Sequence, residues 1–430
     1  MTSPSHIGRF MSALLPGLLM LAGAVSEGGA AERHITSDVP LQQAIAAAAP
    51  GDVLRLSAGT HQGPITIDKP LTLLGDQGAI VEGNGHGSVI TIGAPDTRIE
   101  GLLIRGSGTD LPAMDSAILA HQAASRAAVI GNRFENNLFG VYLHGAADSI
   151  VRDNEIVGRR DLRMAEAGNG VSIWNAPGAR VVHNNIRYGR DGIFVNTSRQ
   201  NVFRDNWFRD LRFAIHYMYT NDSQIIGNHS ERNHVAWAIM YSSRLRIRDN
   251  VSIGDRDHGL MLNYANESDI SGNVVKDGGE KCLFLYNANK NEIRGNRFEN
   301  CPIGIHFTAG SERNVISGNA FIGNRNQVKY VGTRYLDWAE RGRGNYWSDN
   351  PAFDLDGDGI ADRPYRPNGI MDQLLWMYPQ AKMLANSPTV DLIRWAQARF
   401  PAIQPGGVVD SAPLMQPPAG DAARSEGERP

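Results

Sequence analysis

Residues 203–250 read FRDNWFRDLRFAIHYMYTNDSQIIGNHSERNHVAWAIMYSSRLRIRDN and contain one short pattern three times. Each copy has an apolar residue, two further residues and an asparagine, and Asn206, Asn228 and Asn250 are 22 residues apart. A repeat of roughly 20 to 25 residues that holds short strands is typical of one coil of a solenoid. The pattern recurs on both sides of this stretch, with asparagines at positions 132, 154, 184, 206, 228, 250, 273, 296 and 319.

A second pattern follows most of these asparagines. It consists of a small residue and then alternating side chains, as in Ala214-Ile215-His216-Tyr217. Alternation of this kind indicates a strand with one buried face. We therefore predict an all-β, single-stranded right-handed parallel β-helix (a pectin-lyase-like solenoid), with the asparagines as a structural ladder at a bend. The strands open at Gly140, Gly170, Gly192, Ala214, Ala238, Gly259, Cys282 and Gly304.

The β-helix is predicted to span residues 32–331 and to carry caps, because an open coil exposes strand edges and core. Residues 42–49 read as a short N-terminal cap helix that follows a proline. After the repeat stops, we expect an Asp/Gly-rich C-terminal segment at 332–369 and amphipathic helices at 370–402. The Pro-, Gly- and Ala-rich residues 403–430 are predicted to form a disordered tail.

The N-terminus has the features of an export signal. Arg9 provides a positive charge, residues 10–25 are mostly apolar, and Gly29-Ala30-Ala31 offers small residues for cleavage. We therefore expect a signal peptide at 1–31 and a mature chain that starts near Glu32. A retained N-terminal anchor is the alternative, although the apolar run is short for a membrane span.

Charge and cysteine content narrow the functional classes. The chain has 42 Lys and Arg against 45 Asp and Glu, which gives a formal net charge of −3 and no indication of nucleic-acid binding. Cys282 and Cys301 fall at different repeat positions of neighbouring coils. We therefore expect two buried, unpaired cysteines, although an exported protein could pair them.

Enzymes built on parallel β-helices need clustered carboxylates or basic groups on an outer face for acid–base catalysis. Few paired acidic residues occupy aligned coil positions in this sequence. Asp257-His258 is isolated at a turn, where a turn-capping aspartate competes with an acid–base role. We predict no catalytic residues and a binding or assembly protein, with a polysaccharide lyase or C5-epimerase as the alternative.

Outward side chains of the second pattern suggest a metal site. Counted from the small residue that opens each strand, His216, Met240 and Met261 align in three successive coils, and Met218 lies on the same face. Imidazole and thioether together suit a soft ion, above all Cu(I). We therefore predict a copper site at these four residues. Packing of the side chains under a covering loop or a partner is the alternative.

A second candidate metal site lies after the repeat. Asp354, Asp356, Asp358 and Asp362 alternate with Gly357 and other residues, and alternate carboxylates with a turn-permitting glycine suit the oxygen shell of Ca²⁺. The bidentate glutamate that closes an EF-hand loop is absent. We predict a calcium site, with a simple Asp/Gly-rich turn as the alternative.

Gly344-Asn345-Tyr346-Trp347-Ser348-Asp349 runs into Asp354–Asp362 and Arg363-Pro364-Tyr365. Together with the export signal and the coil repeat, these segments resemble the NosD family, the periplasmic maturation proteins of nitrous oxide reductase, over about residues 35–400. The resemblance implies a periplasmic protein held at the inner membrane by its partners. It implies copper as a transient cargo, with sulfur as the alternative.

The resemblance also implies partners. These are an ABC-type ATPase with its membrane subunit, a copper chaperone and nitrous oxide reductase. On this view the predicted copper site becomes a relay between chaperone and reductase. The helical segment, with Trp376, Met377, Tyr378 and Trp395, becomes a candidate dock for the membrane subunit, and a cap over the last coil is the alternative.

Overall fold

The computed structural model describes residues 30–330, 332, 334–378, 380, 387–400 and 406–418. Over these residues the chain winds into a right-handed parallel β-helix of about 14 turns, which confirms the predicted fold class. Each complete coil contributes one strand to each of three parallel sheets. We number the sheets in the order in which a coil visits them.

The first sheet contains Glu32–Ile35, Val53–Leu56, Thr72–Gly75, Arg98–Glu100, Ala128–Ile130, Ile150–Arg152, Arg180–Val182, Val202–Arg204, Gln224–Ile226, Arg246–Arg248, Asp269–Ser271, Glu292–Arg294 and Val315–Ser317. The second contains Gly59–Gln62, Ala79–Glu82, Leu103–Arg105, Arg133–Asn137, Glu155–Gly158, Asn185–Arg187, Trp207–Arg209, His229–Glu231, Val251–Ile253, Val274–Lys276, Arg297–Glu299, Ala320–Ile322 and Tyr346–Trp347. The third contains Ile65–Ile67, Ile90–Ile92, Ser116–Ala120, Phe139–His144, Val171–Trp174, Asp191–Asn196, Phe213–Met218, Val235–Met240, His258–Asn263, Lys281–Tyr286, Ile303–Phe307 and Asn326–Tyr330. A small fourth sheet pairs Leu336–Asp337 with Val408–Val409.

Stacking of the coils creates the core. Phe203, Ile225 and Ile247 occupy equivalent inward positions in consecutive strands of the first sheet, and all three are fully buried. A single coil could not shield such side chains from water. The apolar surface is therefore removed from solvent only when neighbouring coils pack on it.

The asparagines line the corner between the first and second sheets, as Asn228 illustrates. Its side-chain oxygen accepts the backbone N–H of Asn206 at 3.1 Å, and its side-chain nitrogen donates to the carbonyl of Phe203 at 2.9 Å. Its own N–H donates to Oδ1 of Asn250 at 2.9 Å. These bonds confirm the structural ladder. The ladder continues one rung beyond the predicted set, to Asn345, across a spacing of 26 residues.

The N-terminal opening is covered by a helix at Leu41–Ala47, close to the predicted cap. The buried side chains of Leu41 and Ile45 face the first coils, and the helix contacts the strand Ile65–Ile67. The helix buries its apolar side against core that the first coil would otherwise leave exposed.

Residues 406–418 correct the prediction of a disordered tail at 403–430. Asp410 is buried, and its Oδ2 accepts the N–H of Asn345 at 2.7 Å and the Nε1–H of Trp347 at 2.8 Å. Oδ2 of Asp410 therefore provides the hydrogen-bond acceptor that the last rung of the asparagine ladder, at Asn345, would otherwise lack. Its Pro- and Gly-rich composition hides this role, because a single aspartate makes the decisive bonds.

Cys282 and Cys301 form a disulfide bond with their Cα atoms 5.7 Å apart, so the prediction of unpaired cysteines was wrong. Cys282 lies in the strand Lys281–Tyr286, and Cys301 lies one coil later in the bend from the second to the third sheet. Both are buried. Unequal repeat positions do not separate the two side chains, because the chain bends inward at this corner and carries Cys301 over Cys282.

The segment predicted to be helical contains helices at Ile370–Met377 and Pro388–Arg399. Among the described residues, none of the helices has the length and apolar character needed to cross a membrane. Residues 1–29, which make up nearly all of the predicted signal peptide, lie outside the described residues, as do 419–430.

Candidate functional site

The outer face of the third sheet carries the predicted copper ligands, but in a different register. Met240 pairs with Met218 in the neighbouring strand, and Ala238 lies between His216 and Met261. The prediction that His216, Met240 and Met261 form one row was therefore wrong. A shift of two residues keeps every side chain on the same face, so alternation alone could not reveal it.

The four predicted residues nevertheless surround one position. In the register of the sheet, His216 and Met261 lie opposite Ala238 in the two neighbouring strands. Met240 follows Ala238 two residues along the same strand, and Met218 lies opposite Met240 and therefore diagonally to Ala238. Ala238 is fully buried beneath them, while the three methionines are partly exposed.

His216 is held by a buried carboxylate. Its Nδ1 lies 3.1 Å from Oδ2 of Asp191, which is fully buried and also accepts two bonds from Arg212 at 2.8 and 2.6 Å. Burial acts to raise the pKa of Asp191, but the bonds from His216 and Arg212 outweigh it and lower the pKa below its ordinary value. Asp191 is therefore ionised, and it fixes Nδ1 as the protonated nitrogen of His216.

The other ring nitrogen of His216 has no partner. Nε2 is buried and makes no hydrogen bond to any described residue. The rings of Phe194 and Phe213 lie with their centroids 5.0 Å from the imidazole and restrict its motion. A buried polar atom without a partner costs free energy, and a metal ion bound to this lone pair would offset that cost. A carboxylate on one nitrogen and a metal on the other is a frequent arrangement of ligating histidines.

Sequence reasoning missed a second cluster on the same face, around Phe284. Lys281 is buried, with Nζ 2.8 Å from Oε2 of Glu280 and 5.0 Å from the ring centroid of Phe284. His258 and His306 flank the same ring, with centroids 5.6 and 4.9 Å away. Burial, followed by nearby lysine charges, lowers the pKa of His306 to about 4. The cluster therefore combines an ion pair with a neutral imidazole.

Asp191 and the cluster around Phe284 were missed for the same reason. Asp191, His258 and Lys281 occupy equivalent positions directly before the small residue that opens each strand, and the count of outward positions began after that residue. Asp257, for which the sequence favoured a turn-capping role over an acid–base pair with His258, places its carboxylate 3.5 Å from Nδ1 of His234. A count that included the preceding position would have found the carboxylate behind His216.

The aspartate loop brings three of its four predicted ligands together. Carboxylate oxygens of Asp354, Asp356 and Asp358 lie within 4.8 Å of one another. Oδ2 of Asp362 instead accepts the N–H of Leu355 at 2.9 Å. The N–H of Asp358 favours the charged form of Asp356, but the carboxylates of Asp358 and Asp354 outweigh it and raise the pKa of Asp356. A divalent cation would relieve this repulsion.

The helical segment presents aromatic side chains to solvent. Tyr378 is 59% exposed and Trp395 is 55% exposed, with Arg399 stacked over the indole at 5.5 Å. Exposed aromatic rings of this kind are enriched where a second protein binds.

Comparison with known proteins identifies the family. A family model described as "Periplasmic copper-binding protein (NosD)" matches residues 152–352. "Probable ABC transporter binding protein NosD" of Stutzerimonas stutzeri is 42% identical over 95% of this chain and 94% of its own length. The protein of the same description from Pseudomonas aeruginosa is 40% identical over 85% of this chain and 89% of its own.

A solved structure shares the fold. The A-module of mannuronan C-5 epimerase AlgE6 from Azotobacter vinelandii superposes with a TM-score of 0.55, covering 67% of this chain and 90% of the module. The two sequences are only 13% identical, so this likeness concerns the fold alone. The identity with the two bacterial relatives extends over nearly the whole chain, and the chain therefore belongs to the NosD family.

Proposed function

We propose that this protein binds copper in the periplasm and passes it to nitrous oxide reductase, in association with an ABC-type transporter. The description of the family model supports copper and the periplasm, and the description of the relatives supports the transporter. Delivery to the reductase follows from the resemblance noted in the sequence. The exposed aromatic residues Tyr378 and Trp395 would contact the membrane subunit.

One observation carries the copper proposal. Nε2 of His216 is buried and unpartnered, while Nδ1 is held by Asp191. Asp191 keeps the lone pair of Nε2 directed away from itself, and Arg212 compensates the buried charge. The methionines around Ala238 add thioether sulfur, and this donor set suits Cu(I). Because these methionines are partly exposed, a partner could reach them during transfer.

The test is a Cu(I) titration of the mature protein against a competing chelator. Replacement of Met218, Met240 and Met261 by leucine keeps the volume and is expected to weaken Cu(I) binding on the order of 100-fold. Met415→Leu, which changes a partly exposed methionine near the C-terminus, is the matched control and should bind like the wild type. Copper content of the reductase in cells that carry each variant gives a second readout.

Equal Cu(I) affinity in the triple variant and the control would reject these residues as the site. If the wild type binds Cu(I) tightly but the reductase keeps its copper content in cells that carry the triple variant, the relay is rejected and sulfur is favoured as the cargo.

We propose a binding role rather than catalysis. The relatives are described as binding proteins, and Lys281 near Phe284 is buried and paired with Glu280. The purified protein is therefore expected to leave alginate and pectate intact.

We also propose that the aspartate loop binds Ca²⁺ and thereby stabilises the C-terminal segment. Millimolar Ca²⁺ is expected to raise the melting temperature of the wild type by a few degrees, because an ion that binds only the folded state stabilises it. Asp356→Asn should abolish the rise, since Asp356 is exposed and its side chain bonds only within the loop. Asp68→Asn is an exposed control. A melting temperature that does not respond to Ca²⁺ would leave the loop as a plain turn.

A further inference from the structure

The outward row of the third sheet that holds Met218 and Met240 continues towards the N-terminus. Through successive strand pairs it reads Met218, Asn196, Trp174 and His144, and His121 lies beside His144 one coil earlier. The rings of His121 and His144 have centroids 6.3 Å apart and stand at 83° to each other. The row therefore brings two imidazoles together away from the methionines.

The neighbours of this pair restrict the orientation of the imidazole rings but leave the ring nitrogens without hydrogen-bond partners. His144 stacks on Trp174 with centroids 4.6 Å apart and planes 14° apart, which fixes the plane of the imidazole. The side chains of Gln122 and Asn175 line the same open groove. Within the described part of the chain, neither imidazole makes a hydrogen bond or an ion pair through its nitrogens, and the groove is lined by no acidic residue.

The spacing of the two rings suits one metal ion. A metal–nitrogen bond of about 2.0–2.1 Å places the ion about 3 Å from the centroid of an imidazole ring. Two such distances add up to the observed 6.3 Å separation of His121 and His144 when the two nitrogens bind opposite sides of the ion, and the proposed site requires this arrangement. Amide oxygens from Gln122 and Asn175, or water, would complete the shell. Imidazole and oxygen donors without sulfur favour a divalent ion, and Cu²⁺ binds such sites most strongly among the divalent first-row metals.

We infer that His121 and His144 form a second metal site, selective for Cu(II), on the same row as the methionines. Three strand steps separate His144 from Met218, or about 14 Å at the usual strand spacing. The choice of copper among divalent metals rests on the proposed function, whereas the presence of a two-imidazole site does not.

The test is electron paramagnetic resonance of untagged mature protein loaded with one equivalent of Cu(II). All proteins carry His34→Asn, because His34 is third in the expected mature chain and an amino terminus with histidine at that position binds Cu(II) itself. Nitrogen couplings from two imidazoles are expected. His121→Asn with His144→Asn should remove those couplings and weaken Cu(II) binding on the order of 100-fold. His86→Asn changes an exposed histidine and is the matched control.

The outcomes separate this site from the methionine site. The double variant should retain Cu(I) affinity, and the triple methionine variant should retain the Cu(II) signal. An unchanged Cu(II) spectrum and affinity in the double variant would overturn the proposed site, and so would a wild type that binds no Cu(II). Equal affinity for Zn(II) and Cu(II) would overturn the selectivity. Circular dichroism of the double variant checks that the fold is retained.

Discussion

The corner between the first and second sheets and the outer face of the third sheet repeat with the same period, but they differ in what repeats. At the corner, every coil from Asn132 to Asn345 contributes an asparagine. On the outer face, equivalent positions of successive coils hold Phe194, His216 and then Ala238. A constant residue marks a position whose partner is the neighbouring coil. A changing one marks a surface that is free to bind something else.

The physical reason lies in hydrogen bonding. Each corner asparagine satisfies two backbone groups of the preceding coil, as Asn228 does for Asn206 and Phe203, and these residues are buried. Another residue would leave them without partners at a cost of about 1–3 kcal/mol each. Outward side chains of the third sheet are not needed as hydrogen-bond partners of the backbone, because the strands pair through their own backbone groups.

The sharpest test of this comparison is Asn228→Ala in the middle of the ladder. The substitution leaves the N–H of Asn206 and the carbonyl of Phe203 without their side-chain partners. We expect the free energy of unfolding to decrease by about 3 kcal/mol. Urea denaturation followed by circular dichroism measures the loss.

The matched control is Asn185→Ala. Asn185 is a partly exposed asparagine in a strand of the second sheet, and its side chain makes no hydrogen bond to a described residue. Its replacement should change the free energy of unfolding by no more than about 0.5 kcal/mol. Equal losses in the two variants would contradict the distinction between corner and face.

The constant corner explains why the fold was predictable from sequence. Nine asparagines, 22 or 23 residues apart except for one interval of 30, define the coil length, and alternation defines the strands. Register on the third sheet was less accessible, because Ala236 and Ala238 both flank the inward Trp237 and either could open the strand. Packing of that large side chain inside the coil selects Ala236, and packing is not visible in a pattern of small and apolar residues.

The candidate site was predictable only in part, for a related reason. His216 and the methionines stand out by residue type, whereas Asp191 is one coil away in the structure and 25 residues away in sequence. Asp191 stands directly before the small residue that opens its strand, a position that the count of outward side chains did not include. Asp410 is similar, since it reaches Asn345 across 65 residues of irregular chain. Asp410 lies outside the repeat, so no periodic signal indicates its contact with Asn345.

A second corner, between the second and third sheets, does not repeat one residue, and in one coil a buried carboxylate takes the place of an asparagine. Asn233 accepts the N–H of Leu211 at 2.8 Å, and Asp255 takes the equivalent position one coil later by accepting the N–H of Asn233 at 2.7 Å. Asp255 is completely buried, and its carboxylate also accepts bonds from Ser230 and Ser252. Burial raises the pKa of Asp255 to about 7 despite these bonds.

Asp255→Asn tests whether the corner tolerates a charge only at a cost to stability. Between about pH 4 and pH 7 the folded protein holds a proton on Asp255 that the unfolded chain, with a pKa of about 3.9, has released. Wild-type stability should therefore decrease as pH rises through this window, and the variant should lack this component. We expect Asp255→Asn to be more stable than the wild type by about 4 kcal/mol at pH 8 and nearly equal to it at pH 4. Urea denaturation at both pH values measures the difference, and stability curves that run parallel would show that the carboxylate is fully accommodated by its serine partners.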